Sequence, residues 1–436
     1  MDWPLTLAVL FSLLLLFFAA GVPVAFAFIT INIAGLYWFL GGATGLTLLA
    51  GSAFNSVAQF SLVPIPLFVL MGELLVRSGL AAATVTAADQ WIGRVPGRLA
   101  IAAIVAGTIF GALNGASMAS VAMLGALLVP EMQRQRYKPK MIIAPVLGAG
   151  GLAVLIPPSA LGVLLGALAK VSISDLLIAA AVPGLILAFL YTAYFMGLAW
   201  LRPDLAPPYL SSRVSFWEKI KTLRLILPLS GLMIVVTGFI FLGIATPAEA
   251  AAMGAAASAL LAALFGKLSW KVVKESTMST VTTTTMVLLI IVGSSAYSQL
   301  LAATGATTGL VELVTGLSVS PLAMVVLMQL VVLALGCFID AISIMMLTVP
   351  IFYPIVTSLG IDPIWFSVLL LIQLELAGIT PPFGLLLLVL KGVRPELSIQ
   401  DIYRASVPIV IMQCSVAGLL MAFPQLTRIF TDLMLR

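Results

Sequence analysis

Two stretches of this sequence place main-chain oxygen where an apolar chain should leave none free. The first is Gly148-Ala149-Gly150-Gly151-Leu152-Ala153-Val154-Leu155-Ile156-Pro157-Pro158-Ser159, inside an apolar run over 141–168. The second is Ala377-Gly378-Ile379-Thr380-Pro381-Pro382-Phe383-Gly384, inside a run over 365–390. Glycines lower helix propensity, and prolines remove a backbone donor and clash with the preceding turn. Neither run can cross as one smooth helix. A broken helix presents unpaired carbonyls, which in hydrocarbon survive only against protein or a wet cavity. Several such oxygens, joined by a hydroxyl or a carboxylate, suit a hard cation. Hydroxyl, amide and acid side chains in reach of this chemistry are Asn114 and Ser117, Asp340 and Ser343, and Ser159, Thr380 and Glu375.

The elements that hold these residues must be membrane helices. Of 436 residues, 62% are hydrophobic and 8% charged, more apolar sequence than a soluble core uses. The formal charge of +5 comes from basic residues gathered in a few loops, as topology signals are. No basic stripe with interleaved aromatics supports nucleic-acid binding. Histidine is absent and the two cysteines, Cys337 and Cys414, lie in separate apolar segments, so zinc, haem and a disulfide are not expected. Hydrolysis fares badly too. Serine chemistry lacks a histidine base, and Asp340 has no second acid placed to share a proton. The chain is not read as an enzyme, and no organic cofactor is expected. The apolar start lacks a basic leader and is read as a first span.

In chain order, spans are expected over 5–20, 22–40 and 61–76, with an interfacial segment over 41–60 and an amphipathic one over 79–97. The run over 99–129 is interrupted at Gly111-Ala112-Leu113-Asn114-Gly115-Ala116-Ser117. Its limbs of about 13–15 residues are short of the roughly 20 a crossing needs, and basic residues bracket both ends. It reads as a re-entrant hairpin. The broken span over 141–169 and a span over 176–201 follow. The second half repeats this plan, with spans over 225–242, 248–265 and 278–302. Then come an amphipathic piece over 304–317, a hairpin over 321–356 with its tip from Gly336 to Ser343, the second broken span, and a last span over 405–423.

The halves overlay by counting. Glu73, Asn114, Ser117 and Asp175 meet Gln299, Asp340, Ser343 and Asp401 at an offset of 226. Pro23, Pro130, Pro157 and Pro158 meet Pro247, Pro354, Pro381 and Pro382 at 224. This is an internal duplication. With five crossings and one hairpin per half, the halves insert in opposite senses. An N-terminus outside leaves only Lys170, Arg428 and Arg436 on that side, in agreement with the positive-inside rule. The fold expected is an all-α polytopic membrane protein of about ten full spans, two re-entrant hairpins and two broken helices in two inverted repeats. Inverted repeats of this kind build alternating access around a midplane site.

On Gly150-Gly151 with Ile156-Pro157-Pro158-Ser159, Asn114-Gly115-Ala116-Ser117, Gly336 to Ser343, and Gly378-Ile379-Thr380-Pro381-Pro382, the chain resembles the large membrane subunit of tripartite ATP-independent periplasmic (TRAP) transporters, in the ion-transporter superfamily. The resemblance covers nearly the whole chain. It implies a sodium-coupled secondary importer of organic anions, carboxylates among them, working as an elevator in the bacterial inner membrane with a periplasmic N-terminus. It implies two partners, a separate small four-helix membrane subunit and a periplasmic substrate-binding protein. The alternative is a stand-alone sodium–carboxylate carrier of the same superfamily. Scaffold spans are expected over 1–78 and 225–302. Transport elements are expected over 79–175 and 303–401, a further scaffold span and cytoplasmic loop over 176–224, and a last span and C-terminus over 402–436.

For sodium, the expected ligands are carbonyls around Gly150, Gly151, Val154, Ile156 and Pro157 with the Ser117 hydroxyl. In the second repeat they are carbonyls around Gly378, Thr380 and Pro381 with the hairpin tip at Gly336. The bland alternative is that glycine and proline only kink packed helices, against which the two breaks in register argue. The solute is expected between the hairpin tips, near Asn114, Ser159, Asp340, Ser343, Thr380 and Glu375, where helix N-termini offer positive dipole ends. Asp340 also reads as a helix cap facing a wet cavity, and Asn114 as a cap. Glu375 has no partner visible in the sequence. Glu73 is expected to pair with Arg77 four residues on.

Overall fold

The computed structural model describes residues 2–80, 91–92, 95–207, 216–316 and 319–429; the side chains of 113, 114 and 216–226 lie outside that description. Parts of the expected amphipathic stretch over 79–97 and of the polar loop over 202–224 therefore fall outside the described residues, as do 430–436. The first half holds α1 (Trp3–Ala19), α2 (Val24–Phe39), α3 (Ala43–Val57), α4 (Pro64–Arg77), α5 (Arg98–Asn114), α6 (Ser117–Arg134), α7 (Pro139–Leu155), α8 (Ala160–Ala169) and α9 (Ile173–Leu201). The second half holds α10 (Phe216–Phe241), α11 (Pro247–Leu264), α12 (Trp270–Ala303), α13 (Ala306–Gly316), α14 (Pro321–Gly336), α15 (Ala341–Ser358), α16 (Pro363–Ile379), α17 (Leu385–Val393) and α18 (Ile399–Ala422).

Start signals in the sequence set these boundaries. Proline opens α4, α7, α11, α14 and α16, where its missing N–H costs no helical bond. Hydroxyl caps recur at the repeat spacing: Ser172 accepts from the Asp175 N–H at 3.3 Å, and Ser398 from the Asp401 N–H at 3.3 Å. The two halves differ in one place. The single 34-residue α12 corresponds to the separate α3 and α4 of the first half, which are parted by the turn Phe60–Leu62. Pro64 and Pro66 lie where α12 has Ile290 and Val292, and a proline pair there breaks the ladder that α12 keeps. The start of α12 also takes in Lys271 and Lys274.

By length and composition, six helical segments among the described residues are able to cross a membrane. They are Phe60–Arg77, α9, α11, α12, α15 and α18. A seventh is the pair α7 and α8, bent by 42° at its break. Apolar helical stretches of 15–17 residues, α1, α2, α14 and α16 among them, fall just short of that length. α15, expected as a hairpin limb, is itself long enough to cross.

Packing repeats with the sequence. The hairpin α5–α6 folds against α7, and the hairpin α14–α15 against α16. At equivalent points a glycine permits each close approach. A Cβ at Gly111 would stand 2.8 Å from the Ala153 Cα, and one at Gly336 only 2.1 Å from the Ala377 Cβ. A second group forms where α2, α3 and α4 surround α12, with α11 against α4. The spans α9 and α18 pack on α7 and α16, away from this second group.

Prolines inside these helices release the carbonyl four residues earlier. Two such oxygens receive a side-chain donor from elsewhere in the chain. Arg394 Nη2 donates to Ala126 O, which Pro130 leaves open, and its Nε donates to Gly125 O at 3.0 Å. Ser294 donates to Met346 O at 3.2 Å, opposite Pro350; the Trp365 indole likewise donates at 2.9 Å to Leu420 O, a last-turn carbonyl of α18. In an apolar surrounding each unpaired carbonyl would be costly, so these donors make the prolines tolerable.

Candidate functional site

The first break begins where α7 runs out of donors. Ile156 N–H still reaches Leu152 O at 3.0 Å. The next two carbonyls, of Ala153 and Val154, face Pro157 and Pro158 at i+4, which have no N–H to give. The chain resumes as α8, capped by Ser159, whose hydroxyl accepts from the Gly162 N–H at 3.1 Å. Thr237 of α10 donates to Pro157 O at 3.1 Å.

The second break is built alike and is five residues long, 380–384. Both breaks carry a cis peptide, Pro157-Pro158 and Pro381-Pro382. Thr380 N–H turns back to Ala377 O at 3.2 Å, its hydroxyl donates to Leu376 O at 2.6 Å, and Tyr403 donates to Pro382 O at 2.5 Å. Gly378 O is left opposite Pro382. A Cβ at Gly384 would lie 2.6 Å from Gly378 O and 2.8 Å from Thr380 O, so both oxygens flank one spot that only glycine leaves open.

Between the breaks and the hairpin tips lies a cavity of about 290 Å³. Gly115, Ser117, Gly336 and Asp340 reach it from the hairpins, and Glu375 and Gly378 from α16. Its far wall belongs to α4 and α12, through Ile65, Glu73, Thr283 and Val287. Ser117 donates to Glu375 Oε1 at 2.5 Å, linking the first hairpin tip to the second broken helix. Both residues are buried, and no described donor reaches Glu375 Oε2. A Cβ at Gly151 would stand 3.1 Å from that oxygen and 3.4 Å from Gln413 Nε2.

Asp340 caps α15. Its Oδ1 accepts from the N–H groups of Ile342 and Ser343 at 3.0 and 3.1 Å, and its Oδ2 accepts from the Ser343 hydroxyl. Asn114 closes α5, and its side chain lies outside those described. Glu73 accepts from Arg77 Nε at 2.7 Å and from Ser279 at 2.8 Å, and Arg77 also reaches Glu275 at 3.2 Å.

The structure thus brings Ser117, Gly336, Asp340, Glu375 and Gly378 to one cavity. Thr380, Pro381 and Ser343 are not among its lining residues, nor are Ile156, Pro157 and Ser159 of the first break. Gly150 and Gly151 differ from expectation: α7 stays helical through both. Burial overrides their poor propensity, because a Cβ at Gly150 would be 2.2 Å from Val121 Cγ2. They serve close packing, and the oxygens released by prolines are those of Ala153 and Val154. Gln413 was missed, although a glutamine within the apolar 405–423 segment is a signal in itself.

The oxygens here are carbonyls, a hydroxyl and carboxylates, a donor set that fits a hard cation. The description of the tripartite ATP-independent periplasmic transporter, DctM component, matches residues 11–426. The chain belongs to this family. It is a multi-pass membrane component of a TRAP transporter, a permease and not an enzyme. It is 33% identical over 350 residues to the C4-dicarboxylate TRAP transporter large permease protein DctM of Pseudomonas aeruginosa, covering 79% of this chain and 80% of that one. It is 27% identical over 430 residues to the ectoine/5-hydroxyectoine TRAP transporter large permease protein UehC of Ruegeria pomeroyi, covering 98% and 99%. The fold resembles the crystal structure of the YdaH transporter of Alcanivorax borkumensis, with a TM-score of 0.64 and 18% identity over 88% of this chain and 89% of that one.

Proposed function

We propose that this DctM component is the sodium-coupled permease of a three-part importer for carboxylate-bearing organic solutes. A periplasmic binding protein delivers the solute, and a separate small membrane subunit completes the permease in the inner membrane, with the N-terminus outside. The observation that carries this reading is the cavity enclosed by both hairpin tips and the second helix break, with Glu375 tying one repeat to the other. Sodium would be held by Gly378 O and Thr380 O beside Gly384, and at the first repeat by the Ser117 hydroxyl with the released carbonyls of Ala153 and Val154. It supplies positive charge that makes a carboxylate tolerable in a low-dielectric site.

Transport on this reading moves the hairpins and broken helices as one body past α1–α4 and α10–α12. Because α9 and α18 pack on the broken helices, we assign them to the moving body, in place of the separate treatment expected for 176–224 and 402–436. The hydrogen bonds from Thr237 to Pro157 O and from Ser294 to Met346 O cross the boundary and must break in each cycle. Reconstitution in liposomes tests the reading. Uptake is expected only with the small subunit, the binding protein and an inward sodium gradient together. Uptake by this chain alone would favour a stand-alone carrier, and uptake indifferent to sodium would refute the coupling.

A further inference from the structure

The two repeats lead into their broken helices by the same turn and differ there in charge. Before α7, Arg136 N–H donates to Gln133 O at 2.9 Å and Tyr137 N–H to Met132 O at 3.0 Å. Before α16, at an offset of 224, Gly360 N–H donates to Thr357 O at 3.1 Å and Ile361 N–H to Val356 O at 3.0 Å. Arg136 and Gly360 share a left-handed backbone, with φ 59° and 65°, which glycine adopts without strain and arginine does not. In the second repeat an ion pair closes the place: Asp362 accepts from Arg428 Nη2 at 2.5 Å and from its Nε at 3.1 Å. The corresponding residues of the first repeat are Lys138, 224 positions before Asp362, and Arg202, 226 before Arg428. An acid and a base are replaced by two bases.

Main-chain bonds hold these two bases to one spot. Lys138 N–H donates to Leu205 O at 2.9 Å, and Leu205 N–H to Arg202 O at 3.1 Å. Lys140 joins them, its Nζ 5.6 Å from the centre of the Tyr194 ring on α9. Glu131, on the preceding helix, is already taken by Arg134 at 2.8 Å and Gln135 at 2.6 Å. Asp204 is then the one acid described on the two turns. Ion pairs among the described residues form at Arg77, Arg134, Lys271, Arg394 and Arg428, and at none of Arg136, Lys138, Lys140 and Arg202. Four cations against one carboxylate call for an anion from outside the chain. The adjoining surface says which kind. α9, long enough to cross a membrane, ends here in Trp200 and Leu201, 74% and 72% exposed. An exposed indole at the end of a span marks the headgroup level of a bilayer, with acyl chains beside it.

We propose that the turns over 136–140 and 202–205 hold the phosphate of an anionic phospholipid, whose acyl chains lie along the end of α9. The lipid supplies to the first repeat the negative charge that Asp362 supplies to the second. That it comes from the inner leaflet rests on the orientation proposed above, with the N-terminus outside.

Native mass spectrometry of the full chain in detergent micelles tests this, with phosphatidylglycerol and phosphatidylcholine of matched acyl chains as probes. Phosphatidylglycerol is expected to be retained in preference. A basic side chain at a headgroup is worth about fivefold in affinity, so Lys138→Gln with Arg202→Gln should weaken phosphatidylglycerol about 25-fold and leave phosphatidylcholine unchanged. Lys138→Arg with Arg202→Lys should keep the binding, which separates lost charge from a damaged fold. Lys267→Gln with Lys274→Gln removes the same charge from another basic turn on the same side and should change retention by less than about twofold. No preference between the lipids, an equal loss in both glutamine pairs, or a loss in the charge-conserving pair overturns the proposal. Displacement of the lipid by an equal concentration of glycerol phosphate would show a site for soluble anions and overturn it too. Orientation is read separately, by an impermeant maleimide on Pro203→Cys in a chain whose Cys337 and Cys414 are serine. Labelling is expected only in opened cells; labelling of intact cells would overturn the inner-leaflet assignment and the orientation with it.

Discussion

Replacing Ser117 by alanine removes the donor from Glu375 Oε1 and nothing else that is hydrogen-bonded across the repeats. The partners are 258 positions apart in sequence and both buried, Ser117 at 7% and Glu375 at 4% exposure, so water cannot readily take the donor's place. Leaving a buried acceptor unmet costs about 1–3 kcal/mol, and more where the acceptor is charged. Glu375→Leu leaves the Ser117 hydroxyl unpaired and should cost a comparable amount. The double variant removes both halves of the bond, so its cost should fall short of the sum of the singles by about 0.5–3 kcal/mol. Equilibrium unfolding of the purified chain in detergent micelles measures all four corners of this cycle. Sodium dependence of uptake supplies a second readout, because Ser117 is also a proposed ligand. Ser117→Ala should raise the sodium concentration for half-maximal uptake more than it lowers expression. Additivity of the two substitutions to within about 0.3–0.5 kcal/mol would refute the claim that this bond joins the first hairpin to the second broken helix.

Arg394→Met should destabilise the chain by about 1–3 kcal/mol, since Ala126 O has lost its helical donor to Pro130. Pro130→Ala in that background should return part of the loss by restoring an N–H; no rescue would show that Arg394 acts otherwise. Gly384→Ala must displace Gly378 O and Thr380 O, which a Cβ would meet at 2.6 and 2.8 Å. At about 1–3 kcal/mol of overpacking, the sodium requirement should rise roughly five- to a hundredfold. Gly392→Ala, with nothing within 4 Å, should leave it unchanged.

What can be read in one dimension is legible in the sequence: the duplication, the two Pro-Pro breaks, the helix interruptions at Asn114 and Asp340, and the Glu73–Arg77 pair. The parts that escaped depend on which helix lies beside which. Glu375 had no visible partner because Ser117 reaches it only after two repeats interlock, and Arg394 carried no mark of the carbonyl it serves on α6. The expectation that the helix fails at Gly150 and Gly151 followed propensity, which close packing overrode, with Gly150 against Val121. A stricter reading was nevertheless available. A proline at position i always strips the donor from the carbonyl at i−4. Applied to Pro130, Pro157, Pro158, Pro350 and Pro382, that rule marks Ala126, Ala153, Val154, Met346 and Gly378 without any coordinates. Two of these oxygens receive a fixed side-chain donor, from Arg394 and Ser294. For Ala153, Val154 and Gly378, the three at the helix breaks, no such side-chain donor appears among the described residues. At Pro130 and Pro350 the missing N–H is made good by a side chain from elsewhere in the chain. On the proposed reading, the oxygens at the helix breaks are the ones open to a cation.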